Sequence, residues 1–518
     1  MVSLTGPFID EGPGDFQFAA KLQRCAENED SMLTSHRDQV DSSQSIHWIA
    51  PVLCAAMAGG MAWGIRGQYG HETGAMIAGL LVSLTLIFLL CPRAPQLTLA
   101  RAAALGAVAM GFGGSMTYGQ TVGLTHDAAL TGNWEALRWG MIGLSIKGGV
   151  WIGFAGVFLG MGLGGVRYRF RETLLLMIGL IGAYFAGVYL LNSPYDPAGK
   201  SLPAIYFSAD WHWTPVADLK PRRECWGGLW FALIAAIVYS GFLRKDRLAR
   251  NLALWGILGG AVGFPLGQSL QAYHAWNPDV FRQGLWATLD PHMNWWNMME
   301  TTYGAVMGAS LGFGLWLNRE HIRPCSQTEE VDLPCAAEWI LLAIHIGLLA
   351  AVEFLSIPFV DAVYDLGLMM GIIPMAAIVG GRWWPYLVVF PVTLIPIAGK
   401  TVRQLVYNEA AIAPAAGWLI YLIIPLFIAA AAAVWFGRRP SPGARIGTFP
   451  RCALLLNAWM YFLLNYAFFR FPWPWADWTG RTPNGIIFTI CVLGLTAAVL
   501  WRWNLEPPPG GEDETIKV

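Results

Sequence analysis

The chain alternates between apolar runs of about 20 residues and short polar connections along most of its 518 residues. A run of that length crosses bilayer hydrocarbon as a helix, because each backbone amide then finds its partner inside the segment. Fourteen such runs are predicted, near 47–65, 74–91, 98–119, 138–163, 172–191, 225–243, 250–270, 296–317, 338–356, 364–381, 383–399, 416–436, 453–471 and 484–503. The tenth and eleventh are the weakest. Gly381-Arg382-Trp383 leaves them almost no connection, and Pro374, Pro385, Pro391 and Pro396 interrupt them, so twelve or thirteen spans is the alternative count. The expected fold is an all-α, polytopic integral membrane helix bundle. It divides into a polar, disordered tail at 1–45, a Gly-rich transmembrane bundle at 46–320, a second bundle at 338–503 and a polar tail at 504–518.

Basic residues near span ends are retained on the cytoplasmic side. Arg93 and Arg101, Arg167 to Arg171, Arg244 to Arg247, Arg319 and Arg323, Arg382, Arg438 to Arg445, and Arg502 all follow even-numbered runs. Both termini are therefore expected in the cytoplasm, with the plasma (inner) membrane as the location. The outward loop 192–224 departs from the rule by holding Lys220, Arg222 and Arg223.

A repeat runs through the first bundle. Gly119-Gln120 ends span three with His126 six residues on, and Gly267-Gln268 ends span seven with His274 six residues on. The following helices also correspond, Gly156, Gly160 and Gly162 in span four matching Gly308, Gly312 and Gly314 in span eight. Repeats of this kind locate the site in many carriers. The simpler reading is close helix packing through small residues, with each amide capping a helix end. Gln120 and His126 are expected on different faces, with the helix ending at Gly123, so that the glutamine faces a pore and the histidine an outer loop.

Composition narrows the class. Hydrophobic residues make up 55% and charged residues 13%, and 16 of the 67 charges lie in the two tails, leaving a lipid-embedded body. A net charge of −1 gives no electrostatic footprint for nucleic acid. The eight cysteines are scattered without a CxxC, and the first residues lack the basic and apolar regions of a cleavable signal. No cofactor and no metal site is expected. His71-Glu72 lacks the second histidine of a zincin, and no HxH or HxxxH occurs.

An ionisable group at mid-bilayer costs about 2.5–3.5 kcal/mol and so demands a partner or a wet cavity. Lys147, deep in span four, is expected to pair with Glu300 in span eight or Glu72 at the start of span two. Arg66, Gln68, His71 and Glu72 form the densest polar cluster at a span boundary, with helical spacing from Gln68 to His71 and Glu72. The planar fork of Arg66 suits a carboxylate or phosphate. Among 26 tryptophans, the Pro-stiffened run holding Trp473, Trp475, Asp477 and Arg481 is a candidate for stacking on a ligand ring, an interfacial aromatic belt being the plainer account.

Two function classes follow. The first is a transporter for a small polar or anionic substrate entering an outward-facing cavity, with Glu72 or Glu300 exchanging a proton. The second is an integral-membrane transferase or hydrolase acting on a lipid-linked or glycan substrate at the outer leaflet, with His71 or Glu72 as acid or base and Arg66 and Arg481 holding an anionic group. Membrane lipids and the substrate are the expected partners, and the oligomeric state stays open.

Overall fold

A computed structural model describes residues 46–505 except Gln68, Gly70, His71, Arg93, Ser115, 324–329, Ser356, 439–446 and 470–477. The expected tail at 1–45, and the C-terminal tail from 506 on, lie outside the described residues. The structure is 78% helix, with no strand among the described residues.

The principal helices are α1 (Ile49–Arg66), α2 (Glu72–Leu90), α3 (Gln96–Gly113), the short α4 (Gly119–His126), α5 (Trp134–Leu163), α6 (Phe170–Leu191) and α7 (Trp226–Leu243). They continue with α8 (Arg247–Trp276), α9 (Trp295–Leu317), α10 (Cys335–Phe354), α11 (Pro358–Asp365) and α12 (Gly367–Gly380). The last four are α13 (Trp384–Asn408), α14 (Pro414–Gly437), α15 (Thr448–Phe469) and α16 (Thr482–Leu505). About ten of these are long and apolar enough to cross a membrane, and α11 with α12, bent by 74°, makes an eleventh if counted as one span. This is the architecture of a multi-pass integral membrane protein.

Fourteen spans is therefore more than length and hydropathy give. The runs expected at 98–119, 250–270 and 296–317 are the helices α3, α8 and α9, which are not among the ten. Their polar residues explain why: Arg101 in α3, Gln268 and Gln271 in α8, and Asn297 and Glu300 in α9 are all buried against other helices, where apolar surface is not required. The third run is also broken. Gly114 caps α3 by donating to Gly111 O, and Met116 to Tyr118 are non-helical before α4 starts at Gly119.

Small residues set the packing of the first bundle. A Cβ on Gly260 of α8 would strike the Gly148 carbonyl of α5, and one on Gly156 or Gly160 of α5 would strike Leu252 or Ala249 of α8. Gly304, Gly308 and Gly312 of α9 lie equally close to the α1 backbone at Gly59, Ala55 and Pro51. With no apolar driving force between helices in lipid, such approach of backbones is a main source of association. Side-chain oxygens start the long helices: Asn133 accepts from the Glu135 and Ala136 amides, Asn294 from Asn297, and Asp246 from Ala249.

The near-absent connection between the tenth and eleventh predicted runs has a specific support. The buried Glu338 carboxylate, in the first turn of α10, accepts the amides of Arg382 at 3.0 Å, Trp383 at 2.7 Å and Trp384 at 3.1 Å. It thus caps the start of α13. Arg101 of α3 donates to the Gly381 carbonyl at 2.9 Å in the same turn.

Candidate functional site

Three helix ends converge inside the bundle. Helix α1 terminates at Arg66, a basic residue suited to a helix C-terminus. Between α3 and α4, Tyr118 occupies a non-helical conformation (φ −132°, ψ −15°). Helix α9 begins at Trp295, so Trp296 and Glu300, four residues apart, project from one face of its first turns.

The Arg66 guanidinium meets Glu300 Oε1 at 2.8 Å through Nη2 and also donates from Nη2 to the Tyr118 hydroxyl. The Trp296 indole donates to the same Glu300 oxygen at 3.1 Å. Both members of the ion pair are 2% exposed. The cation is further held against aromatic faces, 4.9 Å from the Trp63 ring, 5.5 Å from Tyr118 and 5.6 Å from Trp151. Phe264 stacks on Tyr303 at 4.5 Å, and Tyr303 meets Trp63 edge to face. A side chain at Gly67 would press on the Glu300 carboxylate, so glycine leaves the ion pair its room. Arg66 Nε and the Tyr303 hydroxyl are buried without a hydrogen-bond partner. Arg481, whose guanidinium lies 4.1 Å over the Phe469 ring, is close enough to Glu300 to interact electrostatically.

Lys147 does not pair as expected. Its ammonium lies 2.6 Å from Glu224 Oε1 and donates to Thr117 O and Thr121 Oγ1, each at 2.7 Å, so all three of its donors are used. Glu224 also accepts from Ser208 Oγ at 2.7 Å and the Phe207 amide at 3.0 Å. Residues 193–225 form the connection before α7, which folds this carboxylate back into the bundle. Glu300 is taken by Arg66 instead, and Glu72 opens α2 with its side chain outside the described set.

Other predicted residues fall away from this centre. Gln120 Oε1 accepts the Arg222 amide at 3.2 Å, toward the 193–225 loop. Gln268 is wholly buried and donates to Thr125 Oγ1 at 2.7 Å, its own oxygen being unpartnered. The helix carrying Gln120 continues to His126 rather than stopping at Gly123, since the Asp127 amide still bonds Gly123 O. His126 Nδ1 lies 2.9 Å from Val122 O, and its ring faces Trp296 at 6.2 Å. His274 Nε2 contacts Asp290 at 2.8 Å and stacks on Trp295 at 4.5 Å. Gln68, His71, Trp473, Trp475 and Asp477 lie outside the described residues.

The matched glycines of the internal repeat do similar work, each seating its helix on a neighbour, but the matched glutamines do not. Gln120 sits on a separate eight-residue helix and Gln268 within a continuous helix of 30 residues. Sequence reasoning missed Glu224, Glu338, Tyr118 and the aromatic cage. A glutamate directly before the apolar run at Trp226 was the available signal for Glu224. Among the described residues, no group of three or more His, Cys, Asp or Glu is placed to hold a metal ion.

Comparison of the chain with protein-family models, curated proteins and solved structures gave no match.

Proposed function

We propose that the protein is a membrane transporter for a small anionic substrate, bound at Arg66 and coupled to protonation of Glu300. The observation that carries this reading is the buried Arg66–Glu300 pair at the junction of three helix ends, with Arg66 Nε and the Tyr303 hydroxyl left as unused donors beside it. Interrupted helices inside a membrane are tolerated where they line a protein-enclosed site, and many carriers bind substrate at such breaks. Arg481 adds a second cation close enough to Glu300 to interact with it electrostatically, which favours an anion at this centre.

Protonation of Glu300 releases the guanidinium, whose planar fork then takes the two oxygens of a carboxylate or phosphate. Loss of the substrate restores the pair. The pair is closed off from both faces at 2% exposure, so loading requires the ends of α1 and α9 to separate. Counting α3, α8, α9 and the bent α11–α12 pair as spans gives fourteen crossings, which agrees with the distribution of arginines and with cytoplasmic termini in an inner membrane. Membrane lipids surround it. An enzyme working on a lipid-linked substrate has less support, because Arg66 is sealed from the surface such a substrate would occupy.

The test is uptake into sealed proteoliposomes of radiolabelled small carboxylates and inorganic phosphate, with an imposed pH gradient. Uptake of one of them that requires Arg66 supports the proposal. Absence of Arg66-dependent uptake or exchange for every anion offered, by folded protein, overturns it.

A further inference from the structure

The Arg66–Glu300 pair is not equally deep from the two ends of the bundle. Glu300 is the sixth of the 23 residues of α9, about 8 Å from its start at 1.5 Å per residue, with about 26 Å of helix beyond it. Arg66 is the last residue of α1, at the same end. That near end gathers the start of α9, the end of α8 and the short α4. The Trp276 indole donates to Thr125 O at 2.9 Å, and the His126 ring faces Trp296. The start of α16 joins them, since the Asn294 amide donates to Asn484 Oδ1 at 3.1 Å, and brings the half-buried Arg481 with it.

The cover over the pair differs in the two directions. Deeper along the same helices stand Trp63, one turn before Arg66, and Tyr303, one turn after Glu300, each at most 1% exposed. Toward the near end stands Trp296, which is only half-buried. Its indole donates to Glu300 Oε1 at 3.1 Å, and its ring centre lies 6.3 Å from that of Tyr118 and 6.2 Å from that of His126. His126 is itself 22% exposed. A single side chain thus reaches from the buried carboxylate to a partly exposed surface, and the hydrogen bond that holds it ends on Glu300.

We infer that the Arg66 site opens at this near end and that Trp296 is its gate, admitting a small anion when the indole leaves Glu300. A hydrogen bond to an ionised acceptor is roughly twice as strong as one to a neutral group, so protonation of Glu300 loosens the gate as it frees Arg66. The ends of α1 and α9 then separate on the Trp296 side. The inference rests on the transport reading for what passes, but the opening itself is measurable without any transport.

The test is modification of arginines by a negatively charged, membrane-impermeant phenylglyoxal in membrane vesicles of the two opposite orientations, each peptide being quantified by mass spectrometry. Arg222, exposed and joined to α4 through its amide on Gln120, reports the near end. Arg171, exposed at the start of α6 after α5 has crossed the bundle, reports the far end. Trp296→Phe keeps a ring but loses the N–H, and is expected to raise modification of Arg66 about tenfold, the worth of one hydrogen bond to a charged group. Trp296→Ala raises it further. Both gains are expected only in vesicles whose Arg222 is modified. Trp295→Ala removes the neighbouring ring, which stacks on His274 instead, and is expected to leave Arg66 as slow to react as in the wild type. Thermal unfolding establishes that each variant is folded. A gain that is equal from both sides, absent in folded Trp296→Phe and Trp296→Ala, or matched by Trp295→Ala overturns the inference. Failure of anion uptake with the one-sided gain present counts against the transport reading alone.

Discussion

Lys147 and Glu224 form a fully enclosed ion pair at 2.6 Å, their side chains 1% and 0% exposed. Every donor of the ammonium is satisfied and the carboxylate accepts two further bonds, so neither group is left to bind a ligand. The pair fixes the 193–225 loop against α5. Removing one partner strands the other charge, and Lys147→Met or Glu224→Gln is expected to destabilise the protein by about 3–5 kcal/mol. The double variant Lys147→Met with Glu224→Leu is expected to recover a large part of that loss. Thermal unfolding in detergent across the double-mutant cycle measures it, and strictly additive losses would show that the two groups act independently.

The glycines divide into two populations. A Cβ at Gly260 would strike the Gly148 carbonyl, whereas one at Gly182 of α6 meets nothing within 4 Å. Gly260→Ala is therefore expected to cost about 1–3 kcal/mol or more through forced separation of α5 and α8. Gly182→Ala is expected to be neutral or to stabilise by about 0.5–1 kcal/mol through helix propensity. Unfolding midpoints of the two variants, compared in the same detergent, decide the matter; equal effects would remove the packing argument.

The membrane class was legible because periodic apolar runs follow directly from the need to bond every amide in lipid. Arg66, Lys147 and Glu300 also stood out, since a charge inside an apolar run is costly wherever the helices go. Their partners did not. Arg66 and Glu300 are 234 residues apart, and the choice between Glu300, Glu72 and Glu224 as the mate of Lys147 depends on which helices adjoin. Glu224 reads as solvated loop charge until the loop is seen to fold inward. Trp63, Tyr118 and Trp151 read as ordinary core or interfacial aromatics, because the cage they make exists only when three separate segments meet. The glycine repeat was legible as spacing, and packing is the part of its meaning visible in the contacts.

Arg66 serves two acceptors from one nitrogen, Tyr118 and Glu300, and its shape matters as much as its charge. Arg66→Lys keeps the charge but loses the planar fork and the spare Nε. On the proposed transport reading, anion uptake by Arg66→Lys is expected to fall by about 100-fold, and uptake by Arg66→Gln at least as far. Glu300→Gln removes the carboxyl proposed to exchange a proton while keeping the volume, so on that proposal net uptake driven by a pH gradient is expected to vanish while substrate exchange at equal pH persists. Gradient-driven uptake by Glu300→Gln at the wild-type rate would exclude Glu300 as the coupling residue.

Asp246 provides a pH signature outside the membrane-spanning segments. It sits in the turn before α8, 2% exposed, accepting the Ala249 amide through Oδ1 at 3.0 Å and the Tyr168 hydroxyl through Oδ2 at 3.0 Å. Burial dominates these bonds and pushes its carboxyl up from 3.8 to about 6. Between those values the folded protein holds a proton that the unfolded chain has released, so stability contributed by this group is complete below about pH 3.8 and is lost as pH rises through about 6. The full excursion is roughly 2–3 kcal/mol at 1.36 kcal/mol per unit. Asn also caps helices well, so Asp246→Asn is expected to keep the start of α8 while flattening this part of the profile. Unfolding midpoints measured from pH 4 to 7.5 for both proteins give the comparison. An unchanged slope in the variant would show that the carboxyl titrates alike in the folded and unfolded states, its cap and tyrosine bonds having offset the cost of burial.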